Sequence, residues 1–181
     1  TYGYVWVVTG SSASSAYGIV TAYDTVQVTG DSSSYPIGWL NGPFGDADGD
    51  GQDDLALGGG NPSSSYYSTG RSYVLDGGST LTGSVSSSSY AARVEGDDDY
   101  DCAYQSVLAD LDGDGVAELV VGSPFDNYGS DWSSDYDAGS VSVFEGASGS
   151  DDLGDATDRI SGEDDYNYFG YSLTYGDLDG D

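Results

Sequence analysis

Histidine and methionine are absent from this chain, cysteine occurs once, and Lys+Arg number 3 against 32 Asp+Glu. Without histidine there is no imidazole acid–base chemistry, no histidine-based triad and no histidine-ligated zinc site. The lone Cys102 excludes an internal disulfide framework and any multi-cysteine metal site. A formal charge of −29 makes nucleic acid and anionic membranes poor partners. No apolar run approaches the roughly 18 residues of a spanning helix, so membrane insertion is not expected. The opening TYGYVWVVTG lacks the basic start of a signal peptide and an initiator Met, which is the pattern of a processed chain or of a segment of a longer one.

What the chain does have is a hydrophobic fraction of 37%, including 17 tyrosines, enough for a core and too much for a disordered acidic tail. Self-repulsion among the acids then calls for bound cations or high salt.

Self-similarity organises the rest. GYVWVVTG at 3–10 recurs as GRSYVLDG at 70–77 and as GSVSVFEG at 139–146. Each copy is an alternating apolar and polar run between glycines, the pattern of a half-buried strand. A second marker keeps the same order: DADGDGQDDL at 46–55, DLDGDGVAEL at 110–119 and DLDGD at 177–181. A third places Ile37-Gly38, Ala103-Tyr104 and Phe169-Gly170 at equal distances after Gly30, Gly96 and Gly162. Short β-like runs such as SVLA at 106–109, LVVG at 119–122 and SVSVFE at 140–145 fill the units, and nothing has helical periodicity. The expectation is an all-β chain of propeller blades with about four antiparallel strands each, as a partial propeller or a fragment of a larger one. The units divide as 1–10, the last strand of a preceding blade; 11–77 and 78–146, two full units; and 147–181, the start of a third.

The aspartate loops have calcium spacing. Calcium takes six to eight hard oxygens, and a short loop supplies them from carboxylates at positions 1, 3 and 5 and a carbonyl at 7, with glycine at 6 for the turn. The first loop offers Asp46, Asp48, Asp50, the carbonyl of Gln52 and then Asp54. The second offers Asp110, Asp112, Asp114, the carbonyl of Val116 and then Glu118, and the third offers Asp177, Asp179 and Asp181. Position 12 is Leu57 or Val121, which excludes an EF-hand. The competing reading, solvated Asp-Gly turns without metal, has to explain two matches in phase with the repeat.

These residues resemble FG-GAP repeats, the blades of integrin alpha-subunit propellers and of many bacterial surface proteins. The resemblance rests on Phe169-Gly170, degenerate as Ile37-Gly38 and Ala103-Tyr104, on the DxDGDG loops, and on VGSP at 121–124, degenerate as GGGNP at 58–62. It implies four-stranded blades, calcium in the loop between the first and second strands, and ligand contacts mostly on the opposite face. A seven-bladed family propeller needs roughly 470 residues at this period. This chain is therefore expected to be a fragment, or to assemble with further copies that cover open blade edges.

The connections at 61–70 and 123–139 are long and aromatic, and Tyr66, Tyr67, Tyr128, Trp132 and Tyr136 are candidates for stacking on a glycan or a protein partner, against the plainer reading that they cover neighbouring blades. Arg93 and Arg159 occupy equivalent positions and read as structural partners of loop acids. No nucleophile–base pair stands out, so no enzyme is expected. The functional expectation is an extracellular or cell-surface Ca2+-binding module for adhesion to, or recognition of, a protein or glycan. The other open reading is a subunit that polymerises into a calcium-stabilised filament or layer. Location follows from the ion, because millimolar calcium lies outside cells.

Overall fold

The computed structural model describes residues 3–8, 25–30, 36–39, 44–60, 69–78, 84–127, 136–146 and 148–176. The chain is all-β, and its only helical pieces among these residues are single 3-10 turns at Ser87–Ser89 and Leu153–Asp155. Strands β1 (Tyr4–Val8), β2 (Thr25–Thr29) and β6 (Ser84–Ser86) form one sheet in the order β1-β2-β6. A second sheet runs β11-β7-β5-β4-β3, from β3 (Ile37–Trp39), β4 (Leu55–Gly59), β5 (Arg71–Leu75), β7 (Ala92–Glu95) and β11 (Gly149–Asp152). The third runs β12-β10-β9-β8, from β8 (Gln105–Ala109), β9 (Glu118–Ser123), β10 (Ser140–Phe144) and β12 (Asp158–Ser161).

Within the second and third sheets, β3-β4-β5-β7 and β8-β9-β10-β12 are matching four-stranded antiparallel blades. Each blade takes three strands from one sequence repeat and its outermost strand from the stretch that follows.

Alternation along the strands explains the stacking. In β4, Leu55 and Leu57 point to one face and Ala56 to the other, and all three are buried. With Tyr73 and Leu75 of β5, the leucines meet Val5, Val26 and Val28 of the first sheet. Ala56, Val74, Ala92 and Val94 meet Leu108, Leu119, Val121 and Phe144 of the third sheet across the opposite face. The middle blade is thus buried on both sides, and each large aliphatic side chain withdrawn from water contributes about 1.5–3 kcal/mol.

The close approach of successive blades accounts for one repeated glycine. Gly3, Gly70 and Gly139 all have positive φ, and a Cβ on them would overlap backbone atoms of Ile37, of Cys102 and Ala103, and of Tyr168 and Phe169 respectively. The first and third sequence markers are therefore two sides of one contact, made three times.

Candidate metal centre

The loop 46–54 joins β3 to β4 and the loop 110–118 joins β8 to β9, so both lie between the first and second strands of a blade. Each opens toward solvent while its ends are held by the sheet. Gly45 and Asp54 close the first loop with paired backbone bonds of 3.3 and 2.7 Å. The tight path needs left-handed backbone at Gly49 and Gly51, and again at Gly113 and Gly115.

The loops are organised around their first aspartate. Asp46 accepts N–H bonds from Gly49 at 2.8 Å, Asp50 at 3.1 Å and Gly51 at 2.8 Å. Asp110 likewise accepts from Gly113 at 2.7 Å and Gly115 at 3.0 Å. Asp48 accepts from the Asp50 N–H, and Asp112 from the Asp114 N–H. These backbone dipoles offset part of the repulsion among carboxylates held this close.

In the first loop, Asp46, Asp48 and Asp50 each present a carboxylate oxygen within 4.8 Å of the others. Such an all-oxygen, multiply charged set suits a hard divalent cation, calcium above all. In the second loop the converging set is Asp110, Asp112 and Glu118. Asp114 stands outside that trio and accepts the Val116 N–H at 2.8 Å. Gln52 has its side-chain amide on Asp50 at 3.1 Å.

The ninth-position acids are buried braces. Asp54, 2% exposed, accepts N–H bonds from Ala47 and Gly77, both at 2.8 Å, and so ties the loop to the end of β5. Burial pushes its carboxyl up, the two N–H donors oppose this, and the charges of Asp48 and Asp76 add to the rise. Glu118 accepts the Leu111 N–H at 2.7 Å in the same manner.

Residues 103–144 match the FG-GAP repeat family. The chain carries an FG-GAP repeat. The matched FG-GAP unit starts at Ala103-Tyr104, takes in β8, the whole 110–118 loop and β9, and ends at the last residue of β10. The blade β3-β4-β5-β7 repeats the same order of strand, aspartate loop and strand. A search of curated proteins found no match to the chain.

Asp177, Asp179 and Asp181 lie outside the described residues, as do Tyr66, Tyr67, Tyr128 and Trp132. Tyr136 is described and 59% exposed. Its carbonyl accepts the Tyr166 N–H at 2.7 Å and its own N–H reaches Asp165 at 2.9 Å. It belongs to the β9–β10 connection, which leaves β9 at the end opposite the aspartate loop.

A buried polar cluster was not apparent in the repeat pattern. Arg159, with its side chain 6% exposed, pairs with Asp126 and also with Asp97 at 3.5 Å. Beside them Asp101, 2% exposed, accepts the Asp98 N–H at 2.7 Å. Burial pushes the Asp101 carboxyl up to about 8, reinforced by Asp126 and Asp97. The equivalence of Arg93 and Arg159 pointed to an acidic partner, but Asp126 sits in a connection whose path no periodicity predicts. Arg93 has Glu95 of its own strand as its acidic partner at 3.8 Å, and it also bonds Ser150 at 2.7 Å and lies over the Tyr90 ring.

Proposed function

We propose that this chain is a calcium-binding FG-GAP module that acts outside the cell or at its surface, recognising a protein or a glycan without catalysing a reaction. The observation that carries this reading is the recurrence, at equivalent places in two blades, of three carboxylate oxygens within 4.8 Å of one another. FG-GAP repeats are binding-type modules, generally engaged in protein interactions and typical of extracellular and cell-surface proteins. No helix among the described residues is long and apolar enough to cross a membrane.

In this proposal Asp46, Asp48 and Asp50, with the Gln52 carbonyl and Asp54, hold one Ca2+. Asp110, Asp112 and Glu118, with the Val116 carbonyl and Asp114, hold the second, and Asp177, Asp179 and Asp181 begin a third site. A bound ion would supply charge that cancels the repulsion of the loop acids and locks the entry to the second strand of each blade. The chain's own part is to gather the oxygens, to brace them through Asp54 and Glu118, and to fix the loop ends in a ladder. The aromatic connections at the other end, with Tyr66, Tyr67, Tyr128, Trp132 and Tyr136, are the proposed recognition surface. The unit boundaries 11–77 and 78–146 are retained as sequence repeats within this scheme.

Titration calorimetry with Ca2+ tests the reading. Saturable binding should be lost stepwise in Asp48→Asn and Asp112→Asn. Equal heats in the wild type and the double variant would sink it.

A further inference from the structure

The two aspartate loops meet through a pair of peptide groups. The Asp46 carbonyl accepts the Ala117 N–H at 2.7 Å. Both peptides are trans, so in each the C=O and the N–H leave a rigid plane in opposite directions. In the first plane the Asp46 carbonyl faces the second loop, while the Ala47 N–H donates to the Asp54 carboxylate at 2.8 Å. In the second plane the Ala117 N–H faces the first loop, which turns the Val116 carbonyl away from it. A continuous line of polar groups therefore runs from Asp54 through Ala47, Asp46 and Ala117 to the Val116 carbonyl. One end is a brace of the first loop and the other is an oxygen assigned above to the second ion.

The contact is packed as well as hydrogen-bonded. Ala117 is buried in the core between the second and third sheets, and Ala47 packs against that core. A Cβ on Gly45 would lie 2.9 Å from the Ala117 Cβ and 3.0 Å from the Leu108 Cβ, and one on Gly49 would lie 3.4 Å from the Val116 Cγ2. The bond between the loops thus lies against apolar groups, where a hydrogen bond is electrostatically stronger than in water and polarises its neighbours in a chain.

We propose that these two peptides couple the loops, so that Ca2+ held in either loop raises the affinity of the other. The proposal rests on the calcium reading given above. Positive charge at the Val116 carbonyl polarises its peptide, makes the Ala117 N–H a stronger donor and tightens the bond to Asp46. The first loop is wound around Asp46, whose carboxylate holds the N–H groups of Gly49, Asp50 and Gly51, so fixing its backbone sets that loop's oxygens. In the reverse direction, an ion gathered by Asp46, Asp48 and Asp50 fixes the Asp46 carbonyl and with it Ala117. The next residue is Glu118, a member of the second converging trio. Order that both sites need is then lost from the free chain only once. Repulsion between the two cations acts the other way, but the loops open to solvent, where the Debye length is about 8 Å at physiological salt. Linkage makes the factor equal in both directions.

The test is a Ca2+ titration of the whole chain followed by NMR, with the amide signals of Gly51 and Gly115 reporting the first and second loops separately. In the wild type both loops should fill over one range of Ca2+, more steeply than a single site allows. Asp112→Asn should move the filling of the first loop to about fivefold higher Ca2+ or more, and Asp48→Asn should move the second loop by a like factor. The shifts should persist in about 1 M KCl, where the Debye length is about 3 Å and the charge removed by each substitution is screened. In an Ala117→Pro background, which lacks the linking N–H, Asp112→Asn should no longer move the first loop. An intact loop that fills at the same Ca2+ whether or not the other is disabled overturns the coupling. So does a shift that vanishes in high salt, or one that survives Ala117→Pro. Wild-type signals at Gly51 and Gly115 that ignore Ca2+ would overturn the calcium reading itself, an outcome distinct from two loops that fill independently.

Discussion

The carbonyl of Asp46, the first acid of one aspartate loop, accepts the N–H of Ala117, which sits just before the ninth-position acid of the other, at 2.7 Å. The two loops therefore touch across the gap between blades. Gly45 packs there as well, since a Cβ on it would lie 2.9 Å from the Ala117 Cβ. Replacing Ala117 with Pro deletes the donor and leaves a carbonyl unpaired. A loss of about 1–3 kcal/mol is expected in denaturant titration. A weaker first-loop response to Ca2+ should accompany it, since Asp46 is the residue displaced. An unchanged ion affinity would show that the loops fold separately.

Chelation should lower the melting temperature, and saturating Ca2+ should raise it. At a hundred times the dissociation constant each filled site contributes about 2.7 kcal/mol. Melting curves with EDTA, with Ca2+ and with Mg2+ at equal concentrations read this directly. Mg2+ should stabilise less, because it demands a tighter octahedron and gives up its waters reluctantly.

Asp101 predicts a pH dependence of unusual sign for an acidic protein. Its carboxyl is raised from 3.8 to about 8 by burial first, and then by Asp126 and Asp97, against the opposing Asp98 N–H. Across that window the folded state keeps a proton that the unfolded state releases, so stability falls as pH rises and levels off above about 8. The slope is at most about 1.4 kcal/mol per pH unit. Asp101→Asn should flatten it between pH 6 and 8 in Ca2+-saturated protein. A wild-type slope of zero or of opposite sign would refute the assignment.

Gly70→Ala should be among the most damaging single-methyl additions in the chain. The new Cβ would overlap the backbone at Cys102 and Ala103, and Gly70 has a φ of 78°. Strain in the left-handed region alone costs about 1–3 kcal/mol. Gly113→Ala, at the same φ but with nothing near its Cβ, should lose only that part. The difference between the two, read by urea titration, isolates the contact between blades.

Leu153→Ala tests the packing of the turn that follows β11. Its side chain is fully buried between the second and third sheets, so a loss of about 2–5 kcal/mol is expected. Ile160→Ala, at an exposed position, should stay within about 0.5 kcal/mol.

Much of this was written locally. Alternation in YVWVV, RSYVL and SVSVF gave β1, β5 and β10, because a strand's two faces are coded by neighbouring residues. The path of the aspartate loops was equally legible, since the hydrogen bonds that shape each loop internally join residues two to seven apart in sequence. The single departure there, Glu118 rather than Asp114 in the converging trio, reflects which carboxylate the loop ends carry inward.

Spacing could not reveal what depends on one blade meeting the next. Nothing local marks β6 and β11, since SVS and GSDD are weak strand formers and are held by an edge 57 residues away. Likewise Asp101, Asp126 and Arg159 meet only once strands distant in sequence have stacked, and the bond from Ala117 to Asp46 spans two blades. Local sequence sets the period, the strands and the acid-lined loops, because most of their partners lie within a few residues. Which edges gain a parallel strand, which acids share a buried site and how the loops touch are properties of the stacked sheets, because burial and long-range pairing exist only there.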